Sequence, residues 1–411
     1  MRVQRTWRVC GSQAALLACL AGSLLLPGAA VAQDATPAAT PVASRYGGVP
    51  SAAILASATT PRAIIGSDGQ RHVNYDLLIT NTYLAPVTLT AIDTLAADGT
   101  RLQTLSGDDL VTATQPVLGA EPQAAIPPSA TVAVVMDLLL DPALDPGELD
   151  HAIRYEVPAD APDQALLGTR EVFGPRLRIS PQEPVVIASP LAGDGWVALN
   201  GCCSPRSVHR YERVSTGTEL AKAEMFAIDW VSVRDGQFNS GDGARNEDYY
   251  AYGAEVRAVA PGTVVYVRND AAEQTPGEPL TGINAPQDFG GNQVMVEIGP
   301  GLYAWYAHLQ PGSVLVDVGD EVETGQPLGK LGNSGQSTSP HLHFGLLDAP
   351  NSATGNSVPV AIDAYDLVGV IPEAVMFADT PPPDGRVPVE TTGAGPRTAS
   401  WPLYLTVVNF P

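Results

Sequence analysis

Histidine is scarce in this 411-residue chain, which has six. Cysteine is scarcer still: of four, Cys10 and Cys19 fall in an N-terminal leader, leaving the neighbours Cys202 and Cys203. With no second Cys pair, the sequence gives no support for a thiolate zinc site. The adjacent pair is open to two readings, a disulfide between consecutive residues or two free buried thiols. Positive charge is also in short supply, with 22 Lys and Arg against 44 Asp and Glu. No basic patch with interleaved aromatics occurs, so a nucleic-acid partner is excluded. Beyond the leader no apolar run is long enough for a membrane helix, and no alternation of strands with long amphipathic helices supports a doubly wound α/β fold. Gly-x-Ser-x-Gly, a phosphate loop and a dinucleotide fingerprint are all absent. Gly332-Asn333-Ser334-Gly335 lacks the Asp and second Gly of a serine-protease loop and reads as a tight turn feeding the next strand.

What is present is a leader and two stretches of β character. Arg2, Arg5 and Arg8 precede the apolar run Ala14–Leu26, which is shorter than the about 20 residues a bilayer span needs. Ala30-Val31-Ala32 fits a cleavage site, so residues 1–32 are expected to be a secretory signal and the mature protein periplasmic or extracellular. The Leu-Leu-Ala-Cys sequence ending at Cys19 is vaguely like a lipobox, but more apolar residues follow it, which favours cleavage after Ala32. Loss of three arginines takes the formal charge from −22 to −25, a charge read as solubility.

With 40 Gly and 37 Pro, the chain favours short strands and turns. Residues 33–50 are a Pro/Ala/Thr-rich linker. Over 51–182, Val73, Tyr75, Leu77 and Ile79 alternate with His72, Asn74, Asp76 and Thr80, and Val87, Leu89 and Ala91 alternate with Thr88 and Thr90. Further strands are expected at 129–141, 151–157 and 175–181, with turns such as Asp98-Gly99 between them. This spacing predicts an antiparallel, immunoglobulin-like β-sandwich. His72 and His151 stand alone there, as expected of strand-surface residues, and with no cluster of titratable groups this half is expected to do no chemistry. A chain begun near Glu183 should therefore keep its metal, and its activity should persist or rise.

Residues 183–370 hold four of the six histidines and the densest glycine punctuation. Strands are expected at 256–268, 293–298, 302–308, 314–318 and 341–347, with long surface loops at 235–252 and 268–292. A Pro/Gly-rich tail, 371–411, follows, in which 404–408 could return as a strand.

His341-Leu342-His343 places two imidazoles on one face of a strand, about 6–7 Å apart along it, where they can address one metal or one metal and its water. Leu342 and Phe344 then point into a core. Asp229 interrupts the apolar Phe226-Ala227-Ile228-Asp229-Trp230. Such a carboxylate is costly to bury unless paired or metal-bound, and otherwise faces water at an edge. His308 ends Tyr303-Ala304-Trp305-Tyr306-Ala307-His308, where alternation puts it on the face of Ala304 and Tyr306. Asn292 reads as a turn residue or as one that orients a ligand or strand end.

Taken in order, Phe226-Ala227-Ile228-Asp229, Val256-x-Ala258-x3-Gly262-x-Val264, Gly291-Asn292-x-Val294, Tyr306-Ala307-His308-Leu309, Val318-Gly319-Asp320 and Ser339-Pro340-His341-Leu342-His343-Phe344 closely resemble the lysostaphin-type zinc endopeptidases. The resemblance covers roughly 226–347, under a third of the chain. It implies a compact β domain of duplicated hybrid motif type over 183–370, a Zn2+ cofactor, and hydrolysis of peptide bonds in peptidoglycan or in a Gly-rich peptide. It further implies that Asp229 and His343 are metal ligands and that His308 and His341 are the catalytic pair. Two imidazoles and one carboxylate form a three-ligand site with an open position, where the ion activates water and nearby histidines move its proton and steady the oxyanion.

One position departs from the family. The first His ligand usually lies four residues before the Asp, and Met225 stands there. The one upstream histidine of this half is His209, assigned here as the first metal ligand. Ser215-Thr216-Gly217-Thr218 reads as the turn of a hairpin whose antiparallel arms would put His209 across from Met225. The alternative function is a non-enzymatic cell-wall binder or a regulator of other wall hydrolases, as in relatives that have lost zinc ligands.

Overall fold

The alternation in Arg71–Asn81 (β1) and Val87–Ala96 (β2) does produce strands. In the computed structural model, which describes residues 50–411 except 120, 379–381, 383 and 384, β1 and Thr131–Leu140 (β3) pair antiparallel from Arg71↔Leu140 to Thr80↔Thr131. In a second antiparallel sheet, β2 pairs Glu148–Glu156 (β4). Val73, Tyr75, Leu77 and Ile79 of the first sheet share one hydrophobic core with Val87, Leu89, Ile92 and Ile153 of the second. The expected strand at 175–181 contracts to Leu177–Arg178. The export signal read at 1–32 and nearly all of the linker read at 33–50 lie outside the described residues. Among the described residues no helix is long and apolar enough to cross a membrane.

The polar face of β1 is not in water. His72, Asn74 and Asp76 are all buried. His72 meets Asp137 of β3, and Asn74 and Asp76 meet Cys203 and Arg213 of a segment, beginning near Gly201, that lies over that face.

Eleven of the remaining strands form one long sheet. Its order runs from Val185–Ile187 through Val360–Val370, Thr406–Phe410, Gly193–Leu199 (β5), Ile228–Ser232 (β6), Leu342–Leu347 (β7), Leu302–Leu309 (β8), Asn292–Gly299 (β9) and Gly262–Arg268 (β10) to Glu321–Val322. One face carries Ile228, Trp230, Leu342, Phe344 and Tyr306 in a large core. The other carries Met295, Trp305 and Ala307 in a smaller cluster. The run expected as one strand over 256–268 breaks at Ala260-Pro261. Its first part, Glu255–Arg257, pairs Pro327–Lys330 in a separate two-stranded sheet, since proline supplies no ladder donor. Residues 314–318 form no strand.

Candidate metal centre

The middle of the long sheet assembles the site. β6 lies between β5 and β7, in a register that sets Leu199 and His343 directly opposite Asp229 on its two sides. On the far side of β7, His343 pairs with Ala307. Cross-strand partners share a face, so Asp229 and His343 project from the same side, with Asp229 Oδ1 2.9 Å from His343 Nδ1. Leu342 and Phe344 alternate into the opposite core. His341, just before β7, brings its Nε2 to 3.5 Å from Asp229 Oδ1.

His209 reaches the site from outside the sheet. A short hairpin pairs Val214 with Ala221 and Ser215 with Leu220, with Gly217 at φ +95 in its turn. The arms do not continue as a ladder to Met225, whose side chain is buried in the large core. His209 sits instead on the 3-10 turn Val208–Arg210. Its Nδ1–H donates to Ala227 O at 3.1 Å, which turns Nε2 towards Asp229, 3.3 Å from its Oδ2.

These donors fit a tetrahedral cation. Two ligands each about 2.0–2.1 Å from one zinc stand about 3.3 Å apart. Ligand atoms of His209, Asp229 and His343 lie within 4.8 Å of one another, and all three residues are buried. Asn200 Nδ2 donates to Asp229 Oδ2 at 2.8 Å, and the Trp305 ring packs 4.5 Å from that of His343, so both ligands are oriented from behind. Burial disfavours charge on Asp229, but His209 and His341 outweigh it and hold the carboxyl well below its usual range. Burial likewise opposes charge on His209, yet Asp229 and then Glu224 raise its pKa to about 9. Without a cation these donors thus hold a proton that a metal would displace.

His308 arrives by a different route than alternation predicts. Ala304 and Tyr306 point into the large core, and His308 would follow them. Its φ of +64 breaks the alternation, and its ring instead lies 4.6 Å from that of His341 and 6.0 Å from that of His343. Non-glycine residues rarely adopt this conformation, and it persists where surroundings over-determine it. Here His308 N donates to Gly290 O, its carbonyl accepts from Gly332 N, and its Nδ1–H donates to Ser334 O at 2.7 Å. His341 Nδ1–H donates to Ser339 O at 2.8 Å, with Ser337 Oγ at 3.2 Å. A carbonyl only accepts, so the loop 332–339 fixes both imidazoles with the proton on Nδ1. Burial first, then His341 and His343, lowers the His308 pKa well below its ordinary value.

That loop is locked by close backbone approach. Gly335 has φ +76, and a Cβ there would lie 2.3 Å from Gly291 N and 2.4 Å from Phe289 O. Asn292 secures the same junction, donating through Nδ2 to Ala271 O and Leu309 O.

All five histidine and aspartate positions singled out in the sequence therefore converge. Asn200, Trp305, the Ser334 and Ser339 carbonyls and Glu224, whose Oε2 is 3.8 Å from His209 Nε2, carried no local signal. His72 and His151 are not on the strand surface: both are buried. His72 lies between Asp137 and Asp68, and His151 bonds Tyr75 OH and Pro175 O. A second convergence, His72, Asp137 and Cys203, has its sulfur in the Cys202–Cys203 disulfide.

Residues 247–354 match the model of peptidase family M23. Among curated proteins, the chain is 32% identical over 106 residues to the peptidoglycan DD-endopeptidase ShyA of Vibrio cholerae serotype O1, covering 25% of this chain and 22% of ShyA. It is 46% identical over 56 residues to lysostaphin of Staphylococcus simulans, covering 13% of this chain and 11% of lysostaphin. The chain thus spans less than a quarter of the length of these relatives. Among solved structures it is similar to the catalytic domain of lysostaphin from Staphylococcus simulans, at 25% identity and a TM-score of 0.19, covering 29% of this chain and 84% of that one.

Proposed function

We propose that this chain, which carries a peptidase M23 domain of the lysostaphin type, is an exported zinc-dependent endopeptidase that hydrolyses peptide bonds in the cross-links or stem peptides of peptidoglycan. The observation that carries this reading is the convergence of His209, Asp229 and His343 beside the two backbone-held imidazoles of His308 and His341.

In this reading His209, Asp229 and His343 hold the ion. Zinc supplies a polarised carbonyl and a bound water whose pKa falls towards about 7. The protein's own groups do the rest. With Nδ1–H committed to Ser334 O and Ser339 O, His308 and His341 each keep a lone pair on Nε2. A neutral Nε2 would take the proton of the attacking water and return it to the leaving amine, and the second imidazole, carrying on Nε2 a proton taken from solvent, would donate a hydrogen bond to the developing oxyanion. Burial, with His341 and His343, favours the neutral form of His308. Asn200 and Trp305 keep the carboxylate and the His343 ring in place.

The finer organisation follows the same reading. Residues 51–182 are an immunoglobulin-like sandwich, 183–370 a peptidase domain of duplicated hybrid motif type, and 371–411 a Pro/Gly-rich tail whose final strand, Thr406–Phe410, returns to the long sheet. The substrate is a peptidoglycan peptide or a Gly-rich peptide; relatives of the chain are named a peptidoglycan DD-endopeptidase and, in Staphylococcus capitis, a glycyl-glycine endopeptidase. The test is incubation of the protein with purified peptidoglycan, with and without a chelator, and mass analysis of released fragments. New amino termini that vanish with chelator and return with zinc are the expected result. Intact peptidoglycan in every arm refutes the proposal.

A further inference from the structure

Asp76 of β1 is completely buried, and three cations of the segment that carries His209 surround it. Arg213 Nε donates to its Oδ2 at 2.8 Å and Lys222 Nζ to the same oxygen at 2.7 Å. Arg210 Nη2 stands 3.9 Å from Oδ1 and donates to Met136 O at 3.2 Å. Arg213 precedes the hairpin turn and Lys222 follows it, so one carboxylate ties both arms. On the 3-10 turn Val208–Arg210, successive side chains diverge by about 120°: His209 faces Asp229, and Arg210 faces Asp76.

We infer that Asp76 is a positioning residue for the metal centre: its carboxylate, from the N-terminal half, holds the 209–222 segment so that His209 Nε2 stays aimed at Asp229. This rests on the metal reading proposed above. The segment has little regular structure of its own, three residues of 3-10 turn and a two-pair hairpin, and such pieces are not independently stable. Its shape is set by what its side chains are buried against. Without Asp76, Arg213 and Lys222 lose the oxygen both donate to, and the buried Arg210 guanidinium keeps only Asp137 as a counter-charge, an arrangement that relaxes by moving outward. His209, adjacent to Arg210, moves with them. On this inference a chain begun near Glu183, which lacks this counter-ion, binds zinc more weakly than the full-length protein.

The test is zinc affinity of the full-length protein by chelator competition, a measurement independent of activity. Asp76→Asn is expected to weaken zinc binding about 10–100-fold, the range of outer-shell substitutions. The control is Asp93→Asn, which removes another buried carboxylate, paired with Arg154 at 2.8 Å and Arg101 at 3.4 Å and with no contact to the segment. It is expected to keep wild-type affinity. If Asp76→Asn does not fold, Arg213→Met decides, because it frees one arm while Lys222 still neutralises Asp76. Weakened zinc binding supports the inference, and wild-type affinity overturns it. Equal losses in Asp76→Asn and Asp93→Asn also overturn it, as a general effect of destabilisation. A wild-type chain that takes up no zinc overturns the metal reading itself.

Discussion

Asp229 and His343 stand directly opposite each other in an antiparallel strand pair, Oδ1 to Nδ1 2.9 Å. The relationship is set by backbone register, so it does not depend on flexible side chains finding one another. A shift of one residue would send both to opposite faces. The remaining donor, His209, comes from irregular chain, and the geometry there is the less secured of the two.

Asn200 donates to the oxygen of Asp229 that faces His209. Asn200→Ala should leave the fold intact and weaken zinc binding about 10-fold, as outer-shell losses do. Chelator competition measures this, and unchanged affinity would show that Asp229 needs no such support.

His308 and His341 are assigned to proton movement. Substituting either with Ala should leave zinc content unchanged and lower turnover by about 10²–10⁴-fold. Metal analysis alongside initial rates on a working peptide separates the roles. Lost zinc would make the residue a ligand, and near-normal turnover would remove it from the mechanism.

Much of this site was legible in the sequence, and the rest was hidden for identifiable reasons. The pair His341 and His343 and the lone Asp229 stood out because period-2 alternation makes a polar residue in an apolar strand conspicuous. The hairpin at Gly217 was legible from turn chemistry. The approach of His308 was not, because a φ of +64 breaks the alternation used to aim it. His72, Asn74 and Asp76 read as a solvent face because their partners are distant in sequence: Asp137 for His72, and a segment more than a hundred residues away for Asn74 and Asp76. Asn200 follows a Gly-punctuated strand, Gly193–Leu199, and nothing near it signals that it reaches Asp229.

Gly335 tests the loop that holds both imidazoles. An added Cβ would collide with the backbone of Gly291 and Phe289 in a conformation side chains rarely adopt. Gly335→Ala should therefore shift the Ser334 and Ser339 carbonyls, lowering turnover while zinc stays bound. Turnover equal to wild type would mean the loop does not orient the histidines.

His72 supplies a pH signature. Burial opposes its charge, but Asp137 and Asp68 outweigh this and raise its pKa to about 10. In the unfolded chain the value is about 6.5. Below that, both states are protonated and the stabilisation is complete. As pH rises towards 10 the unfolded chain sheds the proton first, and stability falls by up to about 1.4 kcal/mol per pH unit. The stability gap between wild type and His72→Gln in urea unfolding should thus be largest near pH 6.5 and shrink by pH 9. A gap independent of pH would contradict this.

Zinc stoichiometry of the dialysed full-length protein and of its His209→Ala variant tests the central claim most directly, because His209 is the ligand contributed from outside the sheet. The account predicts one zinc per wild-type chain and almost none in His209→Ala, since two remaining donors are too few for tight binding. Stoichiometric zinc in His209→Ala, or none in the wild type, would contradict it.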